Sequence, residues 1–261
     1  DVGGGAMSAA LFNAIKRDVP LKVVADRGWV PPDRGGGAAL VARKELVQSG
    51  QLKSFSDLKG MTLASNAEAS AGDLGIMRAV ELGKLTPQDV KIVRIPFPEM
   101  MAAFASKSID VSYEVEPFVT MGTDQGLTVP WKPLNEVVPN QQVGVWLYGP
   151  RFMKDKAEAA KRTMVALMKG VRDYNDAFVK NKGKAEVVAI LAKYTSVKDV
   201  PLYDRMDPAV LSPDGQLLLK DLMDQQDWYL SKGYRKEKVS LQDLVDSQYV
   251  DYALNRLGKY Q

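Results

Sequence analysis

The chain has 261 residues, 46% of them hydrophobic, which is enough for a buried core and indicates a folded protein. Its net charge of +3 is too small to indicate a nucleic-acid partner, and no run of about 18 apolar residues predicts a membrane span. Cysteine and histidine are absent, which excludes disulfides, thiol nucleophiles, Ser-His-Asp triads and the usual metal ligands. We therefore predict no cofactor and no metal site.

The first 60 residues are predicted to form short elements separated by glycine- and proline-rich loops. Residues 1–5 read as the end of a strand running into a glycine turn, and we expect further residues upstream. Apolar spacing predicts a helix over 6–17. Apolar runs at 21–25 and 38–42 predict strands on either side of a loop.

Residues 60–81 predict a strand, a loop of small residues and a helix. Ser70 and Asp73 have the S-x-x-D spacing of a capping box, so the helix is expected to start at Ser70 or Ala71. A helix start with free N–H groups behind a small-residue loop favours ligand binding. The alternative is one ordinary βα turn among several.

Strands and helices alternate from residue 86 to residue 148, which is typical of a parallel sheet. After residue 150 the pattern predicts helices only, including one begun by Ser212-Pro213 and one begun by the capping box of Ser240 and Asp243. This change is compatible with two adjoining domains or with one domain interrupted by an insertion. The strands at 38–42 and 143–148 are the candidate crossings.

Several segments, in order, resemble ABC-transporter substrate-binding proteins of the nitrate/sulfonate/taurine type. They include DVGGGAMSAALFNAIKRDVPLKVVADRG at 1–28, GGGAALVARKEL at 35–46, FSDLKGMTLAS at 55–65, SIDVSYEVEPF at 108–118 and the C-terminal stretch at 223–258. The resemblance implies an α/β chain with the two-lobed type II periplasmic binding protein fold. Lobe 1 would comprise 1–60 and 148–261, incomplete at the N-terminus by roughly two βα units, and lobe 2 would comprise 61–147.

The resemblance also implies a function, that of a solute-binding receptor of an ABC importer. It would capture a small polar organic molecule (sulfonate- or taurine-like, amine-bearing or pyrimidine-like) in the cleft between the lobes. The expected partners are this ligand and a membrane permease, with no nucleic acid, and the receptor is expected to be a monomer. Its expected location is periplasmic, or extracellular with a lipid anchor, although this chain shows no signal peptide.

Two other functions remain open. One is an enzyme on the same fold, as in relatives that make a pyrimidine precursor of thiamine with His and Cys residues that this chain lacks. A carboxylate-only enzyme could use Glu68 and Glu116 as acid and base. The other is a ligand-sensing regulatory domain.

By the resemblance, the ligand-binding residues are expected on both lobes, none of them catalytic. They are Gly4, Gly5, Ala6, Met7, Arg27, Asn66, Glu68, Ala69, Ser70, Glu114 and Glu116.

Each of these expectations has a structural alternative. The segment 3–7 could be a plain tight turn, and Arg27 could form a lobe-closing salt bridge or remain solvated. Glu114 could be exposed at a strand end, and Glu116 could be a stabilising charge at a helix N-terminus. Glu68 departs from the Gly-Ser-Thr-like loop that is common in the family, and its carboxylate would repel a bare oxyanion. The acids together favour a ligand with a cationic or hydrogen-bond-donating part over nitrate or sulfate.

Overall fold

The computed structural model describes residues 1–16 and 19–261. The α-helices in these residues are α1 (Ala9–Lys16), α2 (Lys44–Gln48), α3 (Ala71–Leu82), α4 (Phe97–Ala105), α5 (Phe118–Asp124), α6 (Pro150–Asp155), α7 (Ala157–Phe178), α8 (Lys184–Tyr194), α9 (Leu202–Arg205), α10 (Leu219–Ser231), α11 (Leu241–Leu244) and α12 (Gln248–Leu257). The strands are β1 (Val2–Ala6), β2 (Lys22–Asp26), β3 (Trp29–Val30), β4 (Ala38–Arg43), β5 (Thr62–Ser65), β6 (Lys91–Arg94), β7 (Val111–Val115), β8 (Thr128–Pro133), β9 (Gln141–Gln142) and β10 (Gly144–Tyr148). Single 3₁₀ turns lie at Phe55–Leu58, Pro87–Asp89 and Leu134–Glu136.

The chain divides into two compact units, each built from separate stretches of sequence. Unit 1 comprises Asp1–Trp29, Gln141–Val200 and Val210–Gln261. Unit 2 comprises Val30–Asn140 and Pro201–Ala209.

These bounds differ from the lobes expected at 1–60 with 148–261 and at 61–147. Residues 30–60 belong to unit 2 because β4 pairs with both β7 and β8. Residues 141–147 belong to unit 1, in which β10 pairs with β1 and β2. The strands predicted at 38–42 and 143–148 are therefore interior strands and not the crossings. The changes of unit fall instead in β3, before β9, and at the two ends of 201–209.

Unit 1 is built on an antiparallel sheet in the order β1-β10-β2. Tyr148 in β10 is fully buried, and its ring makes edge contacts with Phe152 and Tyr249 at centroid distances of 5.1 and 4.9 Å. Its hydroxyl donates to the carbonyl of Ala160 at 3.0 Å, so the buried polar group is satisfied. Met164 extends this core along the buried face of α7.

Unit 2 contains a mixed sheet in the order β6-β5-β7-β4-β8. The predicted parallel pattern holds for β6, β5 and β7, whereas β4 is antiparallel to β7 and β8. One side of this sheet carries a core that includes Val41, Met100 and Phe104. Tyr113 contacts α3, where a Cβ added at Gly75 would lie 2.8 Å from its Cδ2.

Several predicted element bounds are corrected by the structure. Residues 2–6 form the extended strand β1 rather than a glycine turn, because each pairs with a residue of β10. The helix predicted over 6–17 is α1, which starts at Ala9, and Arg17 lies outside the described residues. The helix predicted from Ser212-Pro213 starts only at Leu219, since Ser212 N is bonded to Asp26 and Gly215 has a φ of +69°. Along the described chain, no helix has the length and apolarity to cross a bilayer.

Candidate functional site

The start of α3 is capped as the sequence predicts. Ser70 has extended backbone angles, φ −97° and ψ 172°, and its Oγ accepts a hydrogen bond from Asp73 N at 3.1 Å. The helix accordingly begins at Ala71. The spacing of the sequence is sufficient to predict this helix start, because the donor and the acceptor are three residues apart.

The loop before α3 is held by its own polar groups. Ser70 Oγ lies 2.7 Å from the carbonyl of Ala67 and 3.1 Å from Asn66 Oδ1, and its single proton bonds one of them at a time. Ala69 is buried and has a φ of +51°. Glu68 is exposed. Of the residues predicted in this loop, Glu68 therefore has the most freedom to meet a ligand.

Asp73, in the first turn of α3, holds the preceding loop, whereas sequence reasoning treated it only as a capping partner. Its side chain is fully buried. One carboxylate oxygen accepts from Arg94 Nη2 at 2.9 Å and from Ser65 Oγ at 3.2 Å, and the other accepts from Ala69 N at 3.1 Å. A carboxylate thus already compensates the positive end of α3, which makes this helix start a poor cradle for a bare oxyanion.

Glu114 is buried and is not exposed at the end of β7. Its side chain is fully buried, and Oε1 accepts from Ser112 Oγ at 3.0 Å. Its Oε2 has no hydrogen-bond partner in residues 1–16 and 19–261. Burial raises the pKa of Glu114 to about 8.

Glu116 bonds the start of α5 to the segment 201–209. It accepts from Thr120 N at 3.1 Å, from Thr120 Oγ1 at 2.9 Å and from Asp207 N at 3.1 Å. Burial, the largest cause, raises its pKa, although these donors oppose the rise. Glu116 also lines a cavity of about 390 Å³ with Thr123 and Arg205. Its carboxylate is occupied by the protein, which agrees with the helix N-terminal alternative.

The segment at 4–7 in unit 1 has a different role from the predicted turn. Gly4, Gly5 and Ala6 lie in β1, and Met7 is fully buried. A Cβ added at Gly4 would lie 2.5 Å from Arg27 Nε. The glycine therefore leaves space for the arginine side chain to cross the strand.

Arg27 is the predicted site residue with the freest functional group. It is exposed, and its guanidinium carbon lies 5.6 Å from the ring centroid of Trp146. Among the described residues it makes no ion pair. The alternative of a lobe-closing salt bridge stays a prediction. Trp146 was not predicted, because its pairing with Gly4 across β1 and β10 is non-local.

A buried polar network fixes the turn that presents Arg27. Asp26 is 2% exposed, and it accepts from Gly28 N at 2.9 Å, from Gln142 Nε2 at 2.6 Å and from Ser212 N at 2.7 Å. Burial raises the pKa of Asp26 despite these donors. Gln142 also accepts from Leu218 N at 3.0 Å. These partners are far apart in sequence, so spacing could not reveal them.

Comparisons with solved structures identify the fold. The nitrate-binding protein NrtA from Synechocystis PCC 6803 has a TM-score of 0.77 and 13% identity, over 98% of this chain and 74% of that one. The alkanesulfonate-binding protein SsuA from Xanthomonas axonopodis pv. citri bound to MOPS has a TM-score of 0.70 and 19% identity, over 95% and 80%. The desulfurization enzyme DszB has a TM-score of 0.65 and 16% identity, over 98% and 85%. The chain therefore has the predicted type II periplasmic binding protein fold.

Sequence comparisons define the family. No curated protein sequence matches the chain. A family profile described as NMT1/THI5 like matches residues 39–176, more than half of the chain. The predicted relationship to ABC substrate-binding proteins is confirmed, and the chain belongs to the NMT1/THI5-like family.

Proposed function

We propose that this protein is the solute-binding receptor of an ABC importer and that it binds a small polar organic molecule without changing it. The observation that carries the proposal is the Arg27 guanidinium, which is exposed, unpaired in the described chain and held over Trp146. A planar guanidinium in this state is suited to a carboxylate or sulfonate group. The likeness to nitrate- and sulfonate-binding proteins supports the same function.

The charges of unit 2 limit the chemical class of the proposed ligand. Asp73 is already paired with Arg94, so Glu68 is the exposed carboxylate of this loop, and it favours a cationic or hydrogen-bond-donating group. Arg27 favours an anionic group. We therefore favour a taurine-like or other amine-bearing organic acid, followed by a pyrimidine, over nitrate or sulfate.

The remaining parts of the proposal come from the fold. The partner would be a membrane permease, and the location would be the periplasm or the outer face of a membrane with a lipid anchor. The protein would act as a monomer, and lobe closure around the ligand would present it to the permease.

A thermal-shift screen tests the function. The compound classes are amines, amino acids, sulfonates, pyrimidines and aromatic acids, followed by calorimetry for any compound that raises the melting temperature. A receptor gives saturable one-to-one binding. If no class raised the melting temperature, the receptor proposal would lose its support.

Two variants test the residues. Arg27→Ala is expected to weaken an anionic ligand by about tenfold or more, the effect of a lost charge-assisted hydrogen bond. Arg151→Ala, another exposed arginine of unit 1, is the matched control. Glu68→Ala is expected to weaken an amine-bearing ligand, with the exposed Glu99→Ala as its control. Unchanged affinity in Glu68→Ala would remove that loop from the proposed site.

An enzyme remains the second candidate because DszB shares the fold. The acid and base first considered for it, Glu68 and Glu116, are poorly suited: Glu116 already accepts three hydrogen bonds. Mass spectrometry of the ligand after incubation separates the two functions, since an enzyme changes its mass and a receptor does not. A regulatory domain would instead require a DNA-binding segment elsewhere in its protein.

A further inference from the structure

Unit 1 contains a groove of about 810 Å³ between α7 and α8, which we call the α7–α8 groove. Its wall is mostly apolar and includes Leu167, Val171, Val187, Ile190 and Leu191. Ile190 keeps 51% of its surface exposed. A concave apolar site of this volume is in the range of small-molecule sites, roughly 300–1,000 Å³.

The charges that line the α7–α8 groove are mainly acidic. Asp173, Asp176 and Glu186 face one cation, Lys182. Asp176 accepts from Tyr260 Oη at 2.7 Å and forms an ion pair with Lys180, two residues beyond the end of α7. Asp173 and Glu186 are exposed and make no ion pair or side-chain hydrogen bond within the described chain. The groove therefore offers two free carboxylates to a cation.

Aromatic rings line the groove on two sides that differ in their neighbouring charges. Tyr174 lines it and packs against Phe178 at a centroid distance of 4.6 Å. Trp146 lines it as well, but the Arg27 guanidinium already covers that ring. A cation is repelled from the Trp146 side by Arg27 and attracted by the acids of α7 and α8.

We propose that the α7–α8 groove binds a small aromatic amine, with its ring on the apolar wall and its ammonium group at Asp173 and Glu186. This site goes beyond the proposed receptor function, because it needs neither Glu68 nor an anionic group on the ligand.

Calorimetry with three indoles that differ in charge tests the proposal. Tryptamine is cationic, tryptophol is neutral and indole-3-acetate is anionic at pH 7. We expect one tryptamine per chain, bound about fivefold more tightly than tryptophol, because two partly screened ion pairs contribute. Indole-3-acetate should be the weakest of the three. Equal affinities would overturn the proposal.

Variants of the groove locate the binding site and separate the contribution of its acids from that of its apolar wall. The double variant Asp173→Asn/Glu186→Gln should remove the preference for tryptamine and leave tryptophol binding unchanged. Asp155→Asn, an exposed acid outside the groove, should change neither. Ala166→Trp places a large ring in the groove from an exposed position and should abolish binding of all three indoles. With circular dichroism and melting unchanged, tryptamine binding that survived in Ala166→Trp would refute the assignment.

Discussion

Glu114→Gln tests whether the buried Glu114 carboxyl of unit 2 is protonated in the folded chain. The Glu114 carboxyl is fully buried, and its pKa rises from an ordinary value of 4.5 to about 8 because burial disfavours the charged form. At neutral pH it is protonated in the folded chain and ionised in the unfolded one. Glutamine keeps the acceptor for Ser112 and has nearly the same volume, but it does not titrate. We predict that this substitution removes a pH-dependent loss of stability.

The size of the effect follows from proton linkage. Between pH 4.5 and about 8 the folded chain holds a proton that the unfolded chain has released, so the free energy of unfolding falls as the pH rises. Each pH unit in this window costs about 1.4 kcal/mol. The wild type therefore loses about 3 kcal/mol by pH 7 and about 5 kcal/mol above pH 8, whereas Glu114→Gln loses none of it through this group.

Urea titrations followed by circular dichroism between pH 4 and pH 8.5 measure this difference. The other raised carboxyls, Asp26, Glu116 and Asp221, titrate in both proteins and cancel in the comparison. Glu99→Gln, in the exposed first turn of α4, is the matched control and should follow the wild type. The difference in free energy of unfolding between Glu114→Gln and the wild type should change across this pH range. If it stayed constant within about 1 kcal/mol, Glu114 would not be a buried protonated acid.

Two further substitutions test buried charges with opposite expected signs. Asp73→Asn should lower the free energy of unfolding by about 3 kcal/mol, because Arg94 loses its carboxylate and the amide nitrogen meets an N–H donor. The half-buried capping change Asp89→Asn should lower it by about 1 kcal/mol, and equal losses in urea titrations would contradict this. Arg235→Met should leave stability unchanged or raise it by about 1 kcal/mol. The arginine is 5% exposed, Nη2 donates to the carbonyl of Glu237 at 2.7 Å, and Nε and Nη1 have no partner in the described chain. Methionine preserves the contact with Phe12 and loses one hydrogen bond. A loss above about 2 kcal/mol in thermal unfolding would mean that the guanidinium is stabilised by more than the ring and this hydrogen bond.

The local features of the site could be read from the sequence. The cap at Ser70 was predicted correctly because a capping box is defined by residues three positions apart. The non-local role of Asp73 could not be predicted from the sequence, since its partner Arg94 is 21 residues away. The spacing identified the cap, while the burial that turns Asp73 into the counter-charge of the helix depends on the folded loop.

The glycine segment shows why a local rule can fail. Three consecutive glycines favour a turn when only neighbours are considered. In the structure they lie in β1, and Gly4 is required because the Arg27 side chain crosses it. In the same way, the apolar run at 38–42 predicts a candidate crossing, although burial of all but one of the residues of β4 is what an interior strand requires.

Within each unit, some charged side chains are satisfied by protein hydrogen bonds and others remain exposed. Asp73 and Glu116 have their oxygens occupied by protein donors, and Asp26 holds the turn before Arg27 in the same way. Satisfied buried carboxylates fix backbone geometry and leave little capacity for a ligand. Arg27 and Glu68, by contrast, are exposed, and Arg27 has no ion-pair partner in the described chain. Each unit therefore keeps one exposed charged side chain available, Arg27 in unit 1 and Glu68 in unit 2, whereas its buried carboxylates are used by the fold.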